Sequence, residues 1–201
     1  YDRVILEGRG ERPVYIYIDD GEVEFRDASH LVGKDVYETD EMIRADLSDR
    51  GVQTAIVGPA AEKGVRYAGV YANLMRAAGR TGMGTVMASK GVKALAVRGS
   101  GSIEVADPAR FERLVEEIEA EIYGHEQYWY RRQMGTTRIL MMANKLGFLP
   151  TRHYASGIFE HAWEVSGERL AEEYNVKVRG CFACDVPCSR FYVVREGEFA
   201  G

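Results

Sequence analysis

The stretch PVYIYIDDGEVEFRD, residues 13–27, determines how the first half of the chain folds. Apolar and polar residues alternate on both sides of Asp19-Asp20-Gly21, which predicts two antiparallel strands joined by a tight turn. Further strands are predicted at 3–8, 53–58, 65–74 and 93–99, and a helix capped by Thr39 at about 39–47. A hairpin followed by alternating helices and strands predicts a sheet-rich α/β architecture.

The second half of the chain is predicted to be mainly α-helical. Asp107-Pro108 is a strong start signal, because the aspartate can cap a helix and proline suits its first turn. Ser166 is predicted to cap the last helix, which leads into a loop that holds all the cysteines. The expected fold class is therefore α+β, with a sheet-rich domain at 1–105 and a mainly α-helical domain with its cysteine loop at 106–201.

The composition excludes several classes of function. The net charge of −5 and the pI near 5.5 give no long-range attraction to nucleic acid or to an anionic membrane. No apolar run approaches the ~20 residues of a membrane span, and the opening YDRVILEGRG lacks the layout of a signal peptide. We therefore expect a cytoplasmic protein whose partners include neither nucleic acid nor a membrane.

The segment GCFACDVPCSRF, residues 180–191, contains Cys181, Cys184 and Cys188 in the spacing C-x2-C-x3-C. Three thiolates on one short loop can bind a single soft metal ion or iron–sulfur cluster, and this interpretation is favoured. A [4Fe–4S] cluster would need a fourth ligand from elsewhere. Two alternatives stay open: a zinc site completed by His153 or His161, and three buried cysteines without any ligand.

The segment RAAGRTGMGTVMASKGVKALAV, residues 76–97, interleaves glycines with basic residues. These are Gly79, Gly82 and Gly84, with Arg76, Arg80 and Lys90. Closely spaced glycines let backbone N–H groups approach phosphate oxygens, and a helix that begins near Gly82 would add its positive end. The pattern is neither a Walker loop nor a dinucleotide fingerprint. A plain helix–strand turn with solvent-facing arginines explains it equally well.

Five segments in this order carry a resemblance to a known family: PVYIYI with RDASHLVGKDV, AIVGPA, RAAGRTGMGTVMASKGVKALAV, GTTRILMMANKLGFLPTRHY and CFACDVPC. The chain resembles the aldehyde:ferredoxin oxidoreductases, the tungsten-pterin enzymes, along nearly its whole length. The resemblance implies a fragment covering the end of the N-terminal pterin-binding domain and the start of the helical middle domain. It also implies a tungsten, or less often molybdenum, bis-pyranopterin beside a [4Fe–4S] cluster.

The same resemblance implies roles for particular residues. Cys181, Cys184 and Cys188 correspond to three of the four cluster ligands. Arg76 and Ala77 correspond to residues of the pterin site, where a backbone carbonyl like that of Ala77 helps to hold Mg²⁺ between the two pterin phosphates. The neighbouring Gly79, Arg80 and Gly82 are assigned to the same site. No catalytic acid or base can be assigned in this chain.

The activity implied is oxidation of a small aldehyde to the carboxylic acid, with electrons passing through the cluster to ferredoxin. A homo-oligomer is expected for the full-length protein, and no activity is expected of the fragment alone. Two rivals remain. One is the related catalytic subunit of benzoyl-CoA reductase, which shares the cofactor. The other is a non-enzymatic, zinc-stabilised binding module in which the glycine turn is only structural.

Overall fold

The computed structural model describes residues 3–200, and the chain divides into two compact units. The first unit is Tyr1–Ile103 and the second is Glu104–Gly201. A six-stranded mixed sheet dominates the first unit, and helices with one hairpin dominate the second. Together they confirm the α+β fold class predicted from the sequence.

The sheet of the first unit has the strand order β2-β1-β6-β3-β4-β5. Its strands are β1 (Val14–Asp19), β2 (Glu22–Asp27), β3 (Gln53–Ile56), β4 (Val70–Ala72), β5 (Arg76–Ala78) and β6 (Val92–Arg98). Three helices accompany them: α1 (Val36–Asp46), α2 (Pro59–Glu62) and α3 (Met83–Ser89). β1 and β6 are parallel and every other neighbouring pair is antiparallel. Chain segments that are far apart in sequence therefore meet at the centre of the sheet.

The hairpin predicted from residues 13–27 is confirmed. β1 and β2 pair from Val14 opposite Asp27 to Asp19 opposite Glu22. The turn residues Asp20 and Gly21 have φ of 45° and 114°, the positive values that a two-residue hairpin turn requires. The Asp20 carboxylate also accepts hydrogen bonds of 2.6 Å from the Ser100 N–H and hydroxyl, which ties this turn to the chain just after β6.

Two apolar clusters surround the central strands. One contains Tyr15, Ala28, Leu31, Ile43, Val52, Ile56, Ala94 and Ala96. The other contains Ile16, Ile18, Val57, Ala61, Ala68, Met87 and Val92. Successive residues of a strand point to opposite faces, so Tyr15 and Ile16 place the clusters on the two sides of β1. Helix α1 supplies Ile43 to the first cluster, while α2 and α3 supply Ala61 and Met87 to the second.

Three local predictions for the first unit are wrong. Residues 3–8 form no strand, and Val4 and Ile5 in this segment are exposed. The segment 65–74 gives only the three-residue β4, because its first half bends back as a turn after α2. Helix α1 begins at Val36 rather than at about 39.

The start of α1 shows why its prediction failed. The Asp35 carboxylate accepts from the N–H groups of Tyr37 at 2.8 Å and Glu38 at 2.9 Å, and the Glu38 carboxylate accepts from the Asp35 N–H at 3.2 Å. This reciprocal pair is a capping box. Thr39 lies one turn further in, where it is buried and its hydroxyl donates to the Asp35 carbonyl.

Within residues 104–200, the second unit contains four α-helices, two short 3-10 helices at Gly135–Ile139 and Ala162–Val165, and one two-stranded sheet. The α-helices are α4 (Pro108–Gly124), α5 (Glu126–Met134), α6 (Leu140–Lys145) and α7 (Gly167–Glu173), and the strands are β7 (Asn175–Arg179) and β8 (Ser189–Tyr192). Both predicted caps are confirmed: Asp107 accepts from the Arg110 N–H at 3.0 Å, and Ser166 accepts from the Arg169 N–H at 3.2 Å. Among residues 3–200, no helix has both the length and the apolarity to cross a bilayer.

A buried ion pair joins β6 to α2. The Lys93 side chain is only 2% exposed, and its ammonium lies 2.6 Å from the Glu62 carboxylate. The ammonium also donates to the Lys34 carbonyl at 2.9 Å, while the second oxygen of Glu62 accepts from the Gly33 N–H at 2.9 Å. These bonds satisfy both charges and fix the 33–34 turn against the sheet.

We predict that Glu62→Gln destabilises the chain by about 3 kcal/mol, because it leaves a buried ammonium without a counter-charge. The matched control is Glu24→Gln, which removes an exposed carboxylate paired with Arg26 and should cost less than about 0.5 kcal/mol. Urea denaturation followed by circular dichroism measures both changes. Equal losses in the two variants would show that the Lys93 pair contributes no more than a surface contact.

Candidate functional site

The residues predicted for the pterin site lie on one segment of the first unit. Arg76 and Ala77 belong to β5, the last strand of the sheet, where they pair with Ala72 and Tyr71 of β4. Arg76 is half-buried and donates to the Met75 carbonyl at 3.4 Å, whereas Ala77 is exposed. A sharp turn precedes this strand and gives it a fixed position at the sheet edge.

The Asn73 side chain ties that turn to β3, together with a hydrogen bond from the Asn73 N–H to the Thr54 carbonyl. Asn73 has a φ of 49° and connects β4 to β5. Its amide oxygen accepts from the Thr54 N–H at 2.8 Å, and its amide nitrogen donates to Gln53 at 2.9 Å. Because both partners lie on β3, the start of the candidate site is anchored to the body of the sheet.

The remaining predicted residues follow β5 directly. Gly79 and Arg80 are exposed in the loop, and Gly82 is the residue that precedes α3, with a φ of 73°. The structure therefore places Arg76, Ala77, Gly79, Arg80 and Gly82 on a continuous strand–loop–helix segment. Exposed backbone and an arginine side chain are available along it, as binding of a phosphate requires.

Two of the glycines have a packing role. A Cβ atom at Gly82 would overlap the Arg66 carbonyl, and one at Gly84 would overlap the Gly69 carbonyl. The Gly84 N–H already donates to the Ala68 carbonyl at 2.9 Å. These contacts support the structural interpretation for Gly82 and Gly84, because the start of α3 lies directly on the 66–69 backbone.

Gly79 differs from them. Its Cβ would only reach ordinary contact with the Ala77 side chain, at 3.9 Å. The open part of the segment is therefore 77–80, and this is where an anion would find unobstructed backbone. A role for these residues in binding the pterin phosphates stays a prediction.

The cysteines lie in the second unit on the loop that joins β7 to β8. Arg179 and Ser189 pair across the base of this loop, which covers residues 180–188. Within it the Cys184 N–H donates to the Cys181 carbonyl at 3.3 Å, forming a turn in which Ala183 has a φ of 48°. Cys181 and Cys184 are exposed and Cys188 is half-buried.

One side chain outside the hairpin contacts the middle of the loop. The Tyr123 hydroxyl, near the end of α4, donates to the Asp185 carboxylate at 3.2 Å. Partial desolvation of the ring, and then the hydrogen bond with Asp185, raise the pKa of Tyr123 above its ordinary value. No sequence signal identified this contact, since the two residues are 62 positions apart.

The donor atoms of the loop suit an iron–sulfur cluster chemically, because such clusters are held by cysteine thiolates and two of the three cysteines are exposed. In the part of the chain that the structure describes, no three His, Cys, Asp or Glu side chains are grouped so as to hold a metal ion. His161, a candidate for the zinc alternative, lies 2.9 Å from the Glu164 carboxylate. The chemistry of the thiols, rather than their arrangement, therefore supports the cluster.

Comparison with models of known protein families shows which family this chain belongs to. The family model described as aldehyde ferredoxin oxidoreductase, N-terminal domain, matches residues 1–99. The model described as aldehyde ferredoxin oxidoreductase, domains 2 and 3, matches 113–201. The chain belongs to the aldehyde ferredoxin oxidoreductase family. The resemblance seen in the sequence is thereby confirmed for both halves of the chain.

Individual relatives of this aldehyde ferredoxin oxidoreductase family member agree. A tungsten-containing aldehyde ferredoxin oxidoreductase of Pyrococcus horikoshii is 43% identical over the whole chain, which covers 33% of that protein. The Thermococcus kodakarensis protein of the same description is 40% identical over 94% of the chain and 32% of its own length. The WOR-like subunit of an aliphatic sulfonate oxidoreductase from Pyrococcus furiosus is 34% identical over the whole chain and 34% of that protein. The chain thus spans about a third of these relatives.

A solved structure also matches this family member. It is the active-site complex BamBC of benzoyl-coenzyme A reductase with 1,5-dienoyl-CoA. The TM-score is 0.73 and the identity 27%, over 93% of this chain and 30% of the matched one. The fold of this family member is therefore shared with part of a benzoyl-coenzyme A reductase complex.

We predict that Gly84→Ala destabilises the chain by about 2 kcal/mol, because the new methyl group would overlap a backbone carbonyl that cannot move aside. The loss should exceed the gain of roughly 1 kcal/mol in helix propensity that alanine brings. Gly79→Ala is the matched control, and its change in stability should stay within about 0.5 kcal/mol. Thermal unfolding distinguishes them, and an unchanged melting temperature in Gly84→Ala would contradict the packing role.

Proposed function

We propose that the protein oxidises small aldehydes to carboxylic acids at a tungsten or molybdenum bis-pyranopterin and delivers the electrons through a [4Fe–4S] cluster to ferredoxin. One observation carries the proposal: 43% identity along the entire chain to a tungsten-containing aldehyde ferredoxin oxidoreductase. The reaction balances as aldehyde plus water giving carboxylic acid, two protons and two electrons. Two molecules of a one-electron carrier such as ferredoxin accept those electrons.

In this proposal, the two candidate segments of the chain supply different chemistry. Cys181, Cys184 and Cys188 provide thiolates to the cluster, which accepts and releases single electrons when bound. Arg76 and Arg80 provide cationic donors for the pterin phosphates, because guanidinium groups bind phosphate oxygens in pairs.

Backbone groups complete the pterin segment. The Ala77 carbonyl contributes an oxygen ligand to Mg²⁺, a hard cation that prefers oxygen. The exposed Gly79 leaves the backbone open to an approaching phosphate, and Gly82 sets the direction in which α3 leaves the segment.

The cellular setting follows from the same chemistry. Clustered cysteine thiols that serve a cluster suit a reducing compartment, so we place the protein in the cytoplasm, where ferredoxin is available as the acceptor. We also propose that the full-length protein forms a homo-oligomer.

A second candidate is the catalytic subunit of a benzoyl-CoA reductase. The TM-score of 0.73 to BamBC favours it, and the identity of 27% to that complex against 43% to the aldehyde enzyme disfavours it. Turnover of benzoyl-CoA by the full-length protein, without aldehyde-dependent activity, would select this candidate.

Zinc at one equivalent per chain, without iron or acid-labile sulfide, would instead support the zinc-stabilised binding module.

We predict that the full-length protein, purified without oxygen from cells supplied with tungstate, contains tungsten and about four iron atoms per chain. It should reduce a viologen dye only when an aldehyde is added. Metal-replete protein that reduces no dye with any aldehyde would contradict the proposed activity.

Two substitutions should separate the two cofactors. Cys184→Ser should remove most of the iron and leave tungsten bound, because it deletes a thiolate of the second unit. Arg80→Gln should lower the tungsten and pterin content and leave the iron, because it deletes a phosphate donor of the first unit. Each variant is the control for the other, and elemental analysis measures both. Loss of both metals in both variants would contradict this division of roles.

A further inference from the structure

The guanidinium of Arg190, on β8, caps the end of α5. Its Nε donates to the Gln133 carbonyl at 3.0 Å, and one terminal nitrogen donates to the carbonyls of Arg131, at 2.6 Å, and Arg132. All three acceptors lie in the last turn of α5. The Arg131 carbonyl also accepts from the Gly135 N–H, whereas carbonyls at the very end of a helix lack such partners. These carbonyls carry the negative pole of the helix, so a guanidinium is favourably placed there.

The same guanidinium also holds the cysteine loop. Its other terminal nitrogen donates to the Ser189 carbonyl at 2.8 Å and the Pro187 carbonyl at 3.2 Å. These are the two residues on either side of Cys188. Arg190 therefore bonds to the helix end and to the Pro187 carbonyl, whose peptide group leads into Cys188, with every guanidinium nitrogen used.

A third contact brings Cys188 directly onto the helix end. Gly135 follows α5 with a φ of 63°, and a Cβ atom there would overlap the Cys188 carbonyl. Only glycine gives both this conformation and this approach without strain. The helix end, Arg190 and Gly135 thus form one seat for the backbone of Cys188.

We propose that Arg190 is a positioning residue that fixes Cys188 against the end of α5, so that this thiolate is presented to the cluster in a set position. The inference rests on the proposed cluster. Cys188 is the half-buried member of the trio, whereas Cys181 and Cys184 lie on an exposed turn. A metal ligand that its surroundings already hold in place loses little conformational freedom when the metal binds, so the metal is retained more strongly. The fixed position of the ligand also influences the electronic state of the metal.

Lysine cannot replace arginine in this role. An ammonium is a single point donor with three hydrogens, whereas the Arg190 guanidinium reaches five carbonyl oxygens on two segments. Arg190→Lys keeps the charge and loses the double attachment. It is therefore the variant that separates positioning from charge.

The test uses the full-length holoenzyme with Arg190→Lys, Gly135→Ala and the matched control Arg169→Lys. Arg169 belongs to the same unit and pairs with Glu173 on the surface of α7. We measure the rate at which an iron chelator removes iron, the electron paramagnetic resonance spectrum of the reduced cluster, its midpoint potential, and the tungsten content.

We expect Arg190→Lys and Gly135→Ala to lose iron about 10-fold faster than wild type, with an altered spectrum and potential and unchanged tungsten. Arg169→Lys should behave as wild type. Wild-type iron loss and spectra in both test variants would overturn the inference while the cluster proposal stands. Parallel loss of tungsten and iron in both would show a general folding defect and also overturn it. A wild-type protein without iron and sulfide would overturn the proposed cluster and this inference together.

Discussion

Burial of both faces of the central strands β1 and β6 constrains the rest of the first unit. Residues of β1 contribute alternately to two apolar clusters, so helices must cover the sheet on each side. Helix α3 covers the face of the sheet that contains Ile16 and Ile18, and the start of this helix packs directly against the 66–69 backbone. This packing fixes where β5 ends and leaves 77–80 open at the sheet edge. The position of the candidate pterin segment is thus a consequence of how the core is covered.

The two candidate segments are supported in different ways. The pterin segment is anchored by backbone packing and by the Asn73 amide, and what it offers to a ligand is mostly main chain. The cysteine loop is anchored by side chains that reach it from α4 and β8, and what it offers is thiols. The first segment lies in the part matched by the N-terminal domain model of the aldehyde ferredoxin oxidoreductase family, and the second lies in the part matched by the model of its domains 2 and 3.

Sequence reasoning succeeded at several local signals, although it missed the capping box of Asp35 and Glu38, which is equally local. The hairpin turn and the caps at Asp107 and Ser166 depend on a few adjacent residues, and all were predicted. It failed at residues 3–8, whose alternating pattern has no neighbouring strand to pair with in the described chain. The seat of Cys188 was also missed, since Arg190 joins carbonyls 58 and 59 positions away. A glycine such as Gly135 marks a helix end in the sequence. The backbone group that packs against it, here the Cys188 carbonyl, depends on the tertiary fold.

The buried lysine of β6 has a consequence for strand pairing. Shifting β6 by one residue against its neighbours would exchange its two faces and turn the Lys93 ammonium away from Glu62 into the cluster that contains Ala94 and Ala96. An isolated charge in such surroundings costs several kcal/mol. A slipped register of β6 therefore loses more free energy than it would if this position held an aliphatic residue. A single charged residue thereby disfavours other alignments of β6 at the centre of the sheet.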